Sequence, residues 1–366
     1  MAYKIFPPTG HKIFFRDLFR NNPAFLPEGF PTNSGTTALY FIISELNIPS
    51  GSKIIIPAYS CPSVAAAVLR AGHIPLLADI SPESLSYDIN SLAQKIRESG
   101  AKALVWVNLF GLNDRIPNTN IPVILDNAQA VLSQARIHNI AAAIYSFGRG
   151  KPLNSLSGGL AVIFASKYFR NLEKEYKTLS EIKPLQEFKY LLTVFAFKLF
   201  FNPFRYPIPV NLPFLNLGET VFEPDFPISK MLSRNKIVIL NILRRFEKIE
   251  ENRKRISQSY RKILLDFKDF LYLYEKNVYY RFPVLLKSSE LRLKLEQSLK
   301  NIGISFTRLY PTPLNEQPGL AEILNNNNVY PGAKIVSEQL MTLPINEFID
   351  EKVLNKIQRV FKNILH

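Results

Sequence analysis

Three short stretches carry side chains that could do chemistry together. The buried, β-branched run Val123–Leu125 ends in Asp126 and continues as Asn127-Ala128-Gln129. A carboxylate is thereby set at the carboxyl end of a strand, where open α/β sheets place their ligands. Buried there, it needs a cationic or hydrogen-bonding partner. The second stretch, Ile144-Tyr145-Ser146-Phe147-Gly148-Arg149-Gly150-Lys151, runs from a strand into a glycine-rich turn. It delivers a hydroxyl and a primary amine to a loop beside the same edge. The third, Asn33-Ser34-Gly35-Thr36-Thr37, stands directly ahead of a helical pattern, so hydroxyls and free amides gather at a helix amino terminus, an anion site.

Taken singly, the last stretch is an ordinary helix cap and a glycine-flanked lysine is an ordinary loop residue. Their combination matches the demands of pyridoxal 5'-phosphate (PLP). The phosphate wants a helix amino terminus and hydroxyls, the pyridine nitrogen a carboxylate that keeps it protonated, and the aldehyde an amine. Asp126 and Lys151 are therefore the expected catalytic pair, with Lys151 as the Schiff-base nucleophile.

The elements that must position them read as an α/β sheet. From about Thr32 to Ser166, apolar runs at Lys53–Pro57, Ile74–Ala78, Ala103–Val107, Val123–Leu125, Ile144–Phe147 and Leu160–Phe164 alternate with helical patterns at Thr36–Leu46, Pro62–Ala71 and Ile89–Ser99. Strands so continuously apolar are covered by helices on both faces, as in a mixed, mostly parallel sheet. A long charged helical stretch, Lys230–Phe267, acts as a spacer. Beyond it, Tyr279–Leu286, Ser289–Asn301 and Asp350–Leu365 predict a smaller carboxyl-terminal α+β domain. The expected division is residues 1–229, with an apolar insertion at about 168–227, and residues 230–366. The Asn325–Asn328 run reads as a loop tip.

Composition narrows the partners. With 366 residues, 47% of them hydrophobic, the chain can bury a large core. Its 45 Lys and Arg against 30 Asp and Glu, a net +15, draw anionic partners. There is no zinc-finger spacing, RNA-recognition signature or basic block with interleaved aromatics, so nucleic acid is not the expected partner. His11, His73, His138 and His366 show no paired ligand spacing, so no metal is expected. One cysteine, Cys61, excludes an internal disulfide and fits a reducing compartment. No secretory pattern opens the chain, and a cytoplasmic protein is expected. The stretch Tyr190–Phe204, bounded by prolines at 184, 203, 207 and 209, is too short to span a bilayer. It reads as a helix packed on the body or a dimer partner, or as one lying in a membrane surface.

In order and wording the motifs resemble the DegT/DnrJ/StrS-type aminotransferases, PLP enzymes of the aspartate-aminotransferase fold. The resemblance runs nearly end to end, through Ser34-Gly35-Thr36, Gly51–Ser60, Ala71-Gly72 with Asp79, Leu109-Phe110-Gly111, Asp126–Ala130, Ser146–Lys151, Ile304–Gln317 and Leu343-Pro344-Ile345. It implies that Ser34, Gly35, Thr36 and Ser146 hold the phosphate, Ala128 packs under the ring and Gln129 contacts its phenolic oxygen. It further implies a homodimer whose interface completes each site, and transfer of an amino group from a donor such as glutamate to a keto-sugar on a nucleotide diphosphate. Arg308 and Tyr310 become candidates for contact with that anionic substrate. Where many members stack a large aromatic on the cofactor this chain has Cys61, which leaves stacking to a neighbour such as Tyr59. Asn108 and Ile228-Ser229-Lys230-Met231 also depart from the family pattern, and Asn346 stands where a histidine is usual. The cofactor core is intact and the substrate-facing shell is altered. Two other activities therefore stand beside transamination: another PLP-dependent reaction such as elimination or dehydration, and a catalytically idle relative acting at a membrane surface.

Overall fold

The computed structural model describes residues 4–19, 26–112, 116–130, 140–212, 220–274, 279–325 and 328–365. His138, His366 and two asparagines of the 325–328 run lie outside them, as does part of the 168–227 insertion.

The strands follow in chain order: β1 (Phe30–Thr32), β2 (Lys53–Pro57), β3 (Ile74–Ala78), a short pair β4 (Ile80–Ser81) and β5 (Ser86–Tyr87), β6 (Ala103–Val107), β7 (Val123–Asp126), β8 (Ile140–Ser146), β9 (Gly159–Ile163), then β10 (Leu271–Tyr272), β11 (Arg281–Leu286) and β12 (Leu340–Pro344). Seven form one sheet in the order β1-β9-β8-β7-β6-β2-β3. The five from β8 to β3 are parallel, and β9 and β1 add an antiparallel edge. This is the mixed, mostly parallel sheet that the apolar runs predict. The sequence reading missed β1, whose Pro31 breaks the strand signal and is tolerated because β1 is an edge. It also began β8 late, because Ala141–Ala143 have little β-propensity and are strand by burial alone.

Period-two alternation divides each strand between two cores. Ile54, Ile56, Val105, Ile124 and Ile144 face helices α1 (Gly35–Ser44) and α2 (Pro62–Arg70). Ile55, Leu104, Trp106, Leu125 and Tyr145 face the other way, towards α3 (Ile89–Glu98). After α4 (Leu172–Thr178) and α5 (Pro184–Phe200) comes the short α6 (Pro207–Val210). The predicted spacer is two helices, α7 (Ser233–Leu243) and α8 (Phe246–Leu265), broken at Arg244-Arg245. The break lets α7 bury Val238, Ile239 and Ile242 on the first sheet while α8 turns Ile256, Tyr260 and Leu264 to the second.

That second sheet, β10-β11-β12, is antiparallel and packs against α9 (Ser289–Asn301) and α11 (Pro331–Gln339), with α10 (Ala321–Leu324) between them and α12 (Glu351–Leu365) closing the chain. Among the described residues several ties hold it to the first. Asp79, at the end of β3, accepts from the amides of Gly332 and Ala333 at 2.9 Å each, capping α11. Any side chain at 332 would meet the Ile80 carbonyl oxygen at 1.7 Å, so only glycine permits the approach. The amino-terminal segment crosses over: Phe6 bridges Ile304, Thr9 bridges Ile345, and Asn346 donates to the Pro7 carbonyl at 2.6 Å. Phe6 and Thr9 thus bridge to residues beside the second sheet, far along the chain. Among the described residues no helix is long and apolar enough to cross a membrane.

His11 lies in that crossing segment, 2% exposed, its Nε2 accepting from the Asn154 amide at 3.2 Å. Burial, reinforced by the charges of Arg253 and Arg245, lowers its pKa from 6.5 to about 3. Between these values the unfolded chain binds a proton that the folded chain refuses, so stability falls as pH drops from 6.5 towards 3. Urea denaturation across that range is expected to show a shallower pH dependence for His11→Gln than for the parent.

Candidate active site

Parallel order brings the carboxyl ends of β7 and β8 to one edge, with Asp126 beside Ile144 in register. Asp126 is buried and its Oδ1 accepts from the Ala128 amide at 2.9 Å. Among the described residues nothing hydrogen-bonds its other oxygen. Burial raises its pKa; the Ala128 amide and the charge of Lys151 oppose the shift. A buried carboxylate with one open oxygen is a receptor for a cationic N–H, which a protonated pyridine nitrogen supplies.

The anion cradle arrives at the same edge because β9 returns antiparallel from Ser146 and pairs with β1, so α1 starts beside the end of β8. Ser34 caps α1, its Oγ accepting from the Thr37 amide at 3.1 Å. The amides of Gly35 and Thr36 precede the first intrahelical bonds, where a helix start offers donors to an anion. A Cβ at position 35 would lie 2.7 Å from Ser146 Cβ and 3.1 Å from its Oγ. Glycine there lets the helix start close on the Ser146 hydroxyl, and the gap is a cradle that a side chain would fill. Pro227 runs alongside, its carbonyl accepting from Thr37 Oγ1 at 3.1 Å and Asn33 Nδ2 at 2.9 Å, which places the altered Ile228–Met231 segment next to the cradle.

Lys151 closes the turn after β8, its amide donating to Gly148 at 3.2 Å. Gly150 has φ +75°, and a Cβ on it would also meet Arg281 Nη2 at 2.9 Å. Arg281, the first residue of β11, was not singled out from the sequence. Its Nη1 donates to Thr307 Oγ1 at 2.8 Å, its Nε is buried without a partner, and among the described residues no carboxylate pairs with it. The signal that could have found it is a charge opening an otherwise apolar strand, Tyr279-Tyr280-Arg281-Phe282-Pro283-Val284. Tyr206, from the insertion, feels the charges of Arg281 and Arg149, so this corner is cationic.

Aromatic side chains form the wall. Tyr59 is buried and meets Tyr310 edge-on at 5.2 Å, so it backs Tyr310 as part of the core. Gln129 donates to the Tyr310 hydroxyl at 2.8 Å and accepts from the Phe110 amide at 3.1 Å. This grip holds Phe110 at φ +54°, a costly backbone for a bulky residue, against Tyr280 at 6.4 Å. Asn108 Nδ2 donates to Asn127 Oδ1 at 3.2 Å, a second tie between the loops after β6 and β7. Cys61 caps α2 and accepts from the Ser63 hydroxyl at 2.9 Å. Arg308 forks onto Glu296, with Nη2–Oε2 at 2.8 Å, and Glu296 also takes Arg292. Among the described residues no cluster of three or more His, Cys, Asp or Glu could hold a metal.

The carboxylate, the cradle and the lysine turn fit PLP, and comparison with known proteins agrees. The model of the DegT/DnrJ/EryC1/StrS aminotransferase family matches residues 27–179 and 229–364. The UDP-2-acetamido-2-deoxy-3-oxo-D-glucuronate aminotransferase of Pseudomonas aeruginosa is 24% identical over 332 residues, 87% of this chain and 80% of that one. In fold the chain is similar to PseC of Helicobacter pylori, an aminotransferase involved in the biosynthesis of pseudoaminic acid, with a TM-score of 0.73 at 15% identity and 99% of each chain covered. NtdA of Bacillus subtilis, solved with its cofactor PMP (pyridoxamine phosphate), gives 0.66 at 16% identity over 92% of this chain and 73% of its own. The chain belongs to the DegT/DnrJ/EryC1/StrS aminotransferase family and is a PLP-dependent transaminase.

Proposed function

We propose that this transaminase moves an amino group from an amino acid, glutamate first among them, to a keto-sugar carried on a nucleotide diphosphate. The reading is carried by Asp126, Lys151 and the Gly35–Ser146 cradle at one sheet edge, beside Arg281, whose Nε is buried without a partner among the described residues. A relative that acts on a UDP-linked oxo-sugar and the net charge of +15 support the anionic acceptor.

PLP, when bound, supplies the electron sink that makes the donor's α-proton acidic. Asp126 holds the proton on the pyridine nitrogen. The amides of Gly35 and Thr36 and the hydroxyl of Ser146 anchor the phosphate, with Ser34 fixing the helix start. Lys151 Nζ takes the proton from the donor's Cα and returns one during amination of the acceptor. Gln129 serves the ring through the wall it fixes, keeping Phe110 and Tyr310 in place. Ala128, whose amide holds Asp126, would pack under the ring of the bound cofactor. Arg281 offers its charge to the donor carboxylate or the acceptor phosphate, a role that the Glu296 pairing makes unsuited to Arg308.

The working unit we read as a homodimer in the cytoplasm, with the 190–204 stretch as a peripheral contact with a membrane. The single cysteine supports a reducing compartment.

Lys151→Ala should abolish the near-visible absorbance of the lysine-bound cofactor and its fixation by borohydride. It should also lower the half-reaction with glutamate by about 10³-fold while circular dichroism stays that of the parent. Fixation at another residue would overturn the assignment, and release of ammonia without formation of pyridoxamine phosphate would replace transamination by elimination. For Arg281→Gln, KM for one of the two substrates should rise by about 10-fold at nearly unchanged kcat, and separate half-reactions identify which.

A further inference from the structure

The family model leaves residues 180–228 unmatched, and α5 lies in that gap. This helix is apolar on two opposite faces. The inner face buries Tyr190 and Val194 against the first sheet, and the Tyr190 hydroxyl donates to the Ser155 carbonyl at 2.9 Å. The outer face carries Leu185, Phe188, Leu192, Phe195 and Leu199, spaced by three and four residues along one stripe. These side chains are 61%, 57%, 53%, 62% and 39% exposed. Single exposed apolar residues are common, but five on one stripe call for a cover.

The surroundings say which cover fits. Phe15 and Phe19, also exposed, pack together at 5.0 Å, and Lys198 Nζ sits 5.4 Å over the Phe15 ring. Past the helix, Lys4 Nζ lies 4.2 Å over exposed Phe204. Ammonium groups beside outward rings suit a boundary where rings enter acyl chains and amines meet headgroup phosphates. Between residues 183 and 212 the charges are Lys183, Lys189, Lys198 and Arg205 against Glu187. Glu187 is turned inward, accepting from the amides of Ser233 at 2.7 Å and Arg234 at 3.3 Å. A second copy docking about a two-fold axis would set this basic rim against itself. At 17 residues, roughly 25 Å, the helix can lie in a bilayer surface but not span it.

We propose that the outer face of α5, with Phe15 and Phe19 beside it, docks on the surface of an anionic lipid bilayer. The proposal rests on the reading above and deepens it, widening the 190–204 contact to the whole outer stripe and naming its partner by charge. The enzyme then works at a membrane face while its pocket, on the carboxyl edge of the first sheet, stays open to soluble donor and acceptor.

The test is flotation of the holoenzyme with phosphatidylcholine vesicles, with and without phosphatidylglycerol. The protein should float with the anionic vesicles alone and be released by salt. Phe188→Glu with Phe195→Glu should lower the bound fraction by at least ~10-fold, and Lys189→Glu with Lys198→Glu should weaken it similarly. Both variants should keep the parent half-reaction with glutamate in solution, which also shows that they fold. A parent that stays down with the anionic vesicles overturns the proposal, as does equal flotation with both. So does a parent dimer that fails to float and becomes monomeric on the phenylalanine changes, since the stripe then belongs to a second copy. Absence of the glutamate half-reaction in the parent would instead sink the functional reading and leave the flotation result standing.

Discussion

The burial of Asp126 is the constraint on which the rest depends. A carboxylate out of water with one oxygen satisfied by a backbone amide is costly unless a cation completes it. The parallel strands on either side of β7 make that burial unavoidable, since they wall the carboxylate with Val107 and Ile144. Lys151 reaches the same edge from the next strand and bears on its charge. The sheet thus builds a demand for positive charge at the spot where a protonated ring nitrogen is useful, and a structural cost becomes a binding determinant.

Close approach of backbone is the second theme. At Gly35 the helix start closes on Ser146, at Gly332 a helix start closes on β4, and at Gly150 the lysine turn closes on Arg281. Each is a place where a methyl group would separate two elements that must touch. Together they lock the cradle to the first sheet, the second sheet to the first, and the lysine turn to the second sheet. The last two explain how a residue of β11 comes to lie beside a turn 130 positions earlier in the chain. They also bear on the altered shell. The aromatic surface near Asp126 includes Tyr280 and Tyr310, which Phe110 and Gln129 contact.

The helix α5, in the stretch that the family model leaves unmatched, follows different rules from the matched segments. Its inner face obeys the core, and its outer face departs from the pattern of a solvated surface. Within one 17-residue helix, apolar side chains are buried on one side and exposed on the other, with Lys189 and Lys198 flanking the exposed stripe. A segment built this way adds little to the pocket beyond Tyr206, and its chemistry is that of an interface.

By itself the sequence determined the class of the fold, because strands buried on both faces must be written in continuous apolar residues and their crossover helices in amphipathic ones. It also determined the cofactor, because Asp126, Lys151 and the Ser34–Thr36 cap carry chemistry that few other patterns share. Strands whose side chains were too small or too irregular to announce themselves, Ala141–Ala143 and Pro31, became strand only when neighbours covered them. Tertiary structure alone decided the company each polar group keeps. Arg308 went to Glu296 and Arg281 came to the lysine turn because ion pairing is settled by distance in space, which spacing along the chain does not encode. It likewise decided that Tyr59 backs the wall, and that one stripe of α5 faces outward, since a helix apolar on both sides can be turned only by what it packs against.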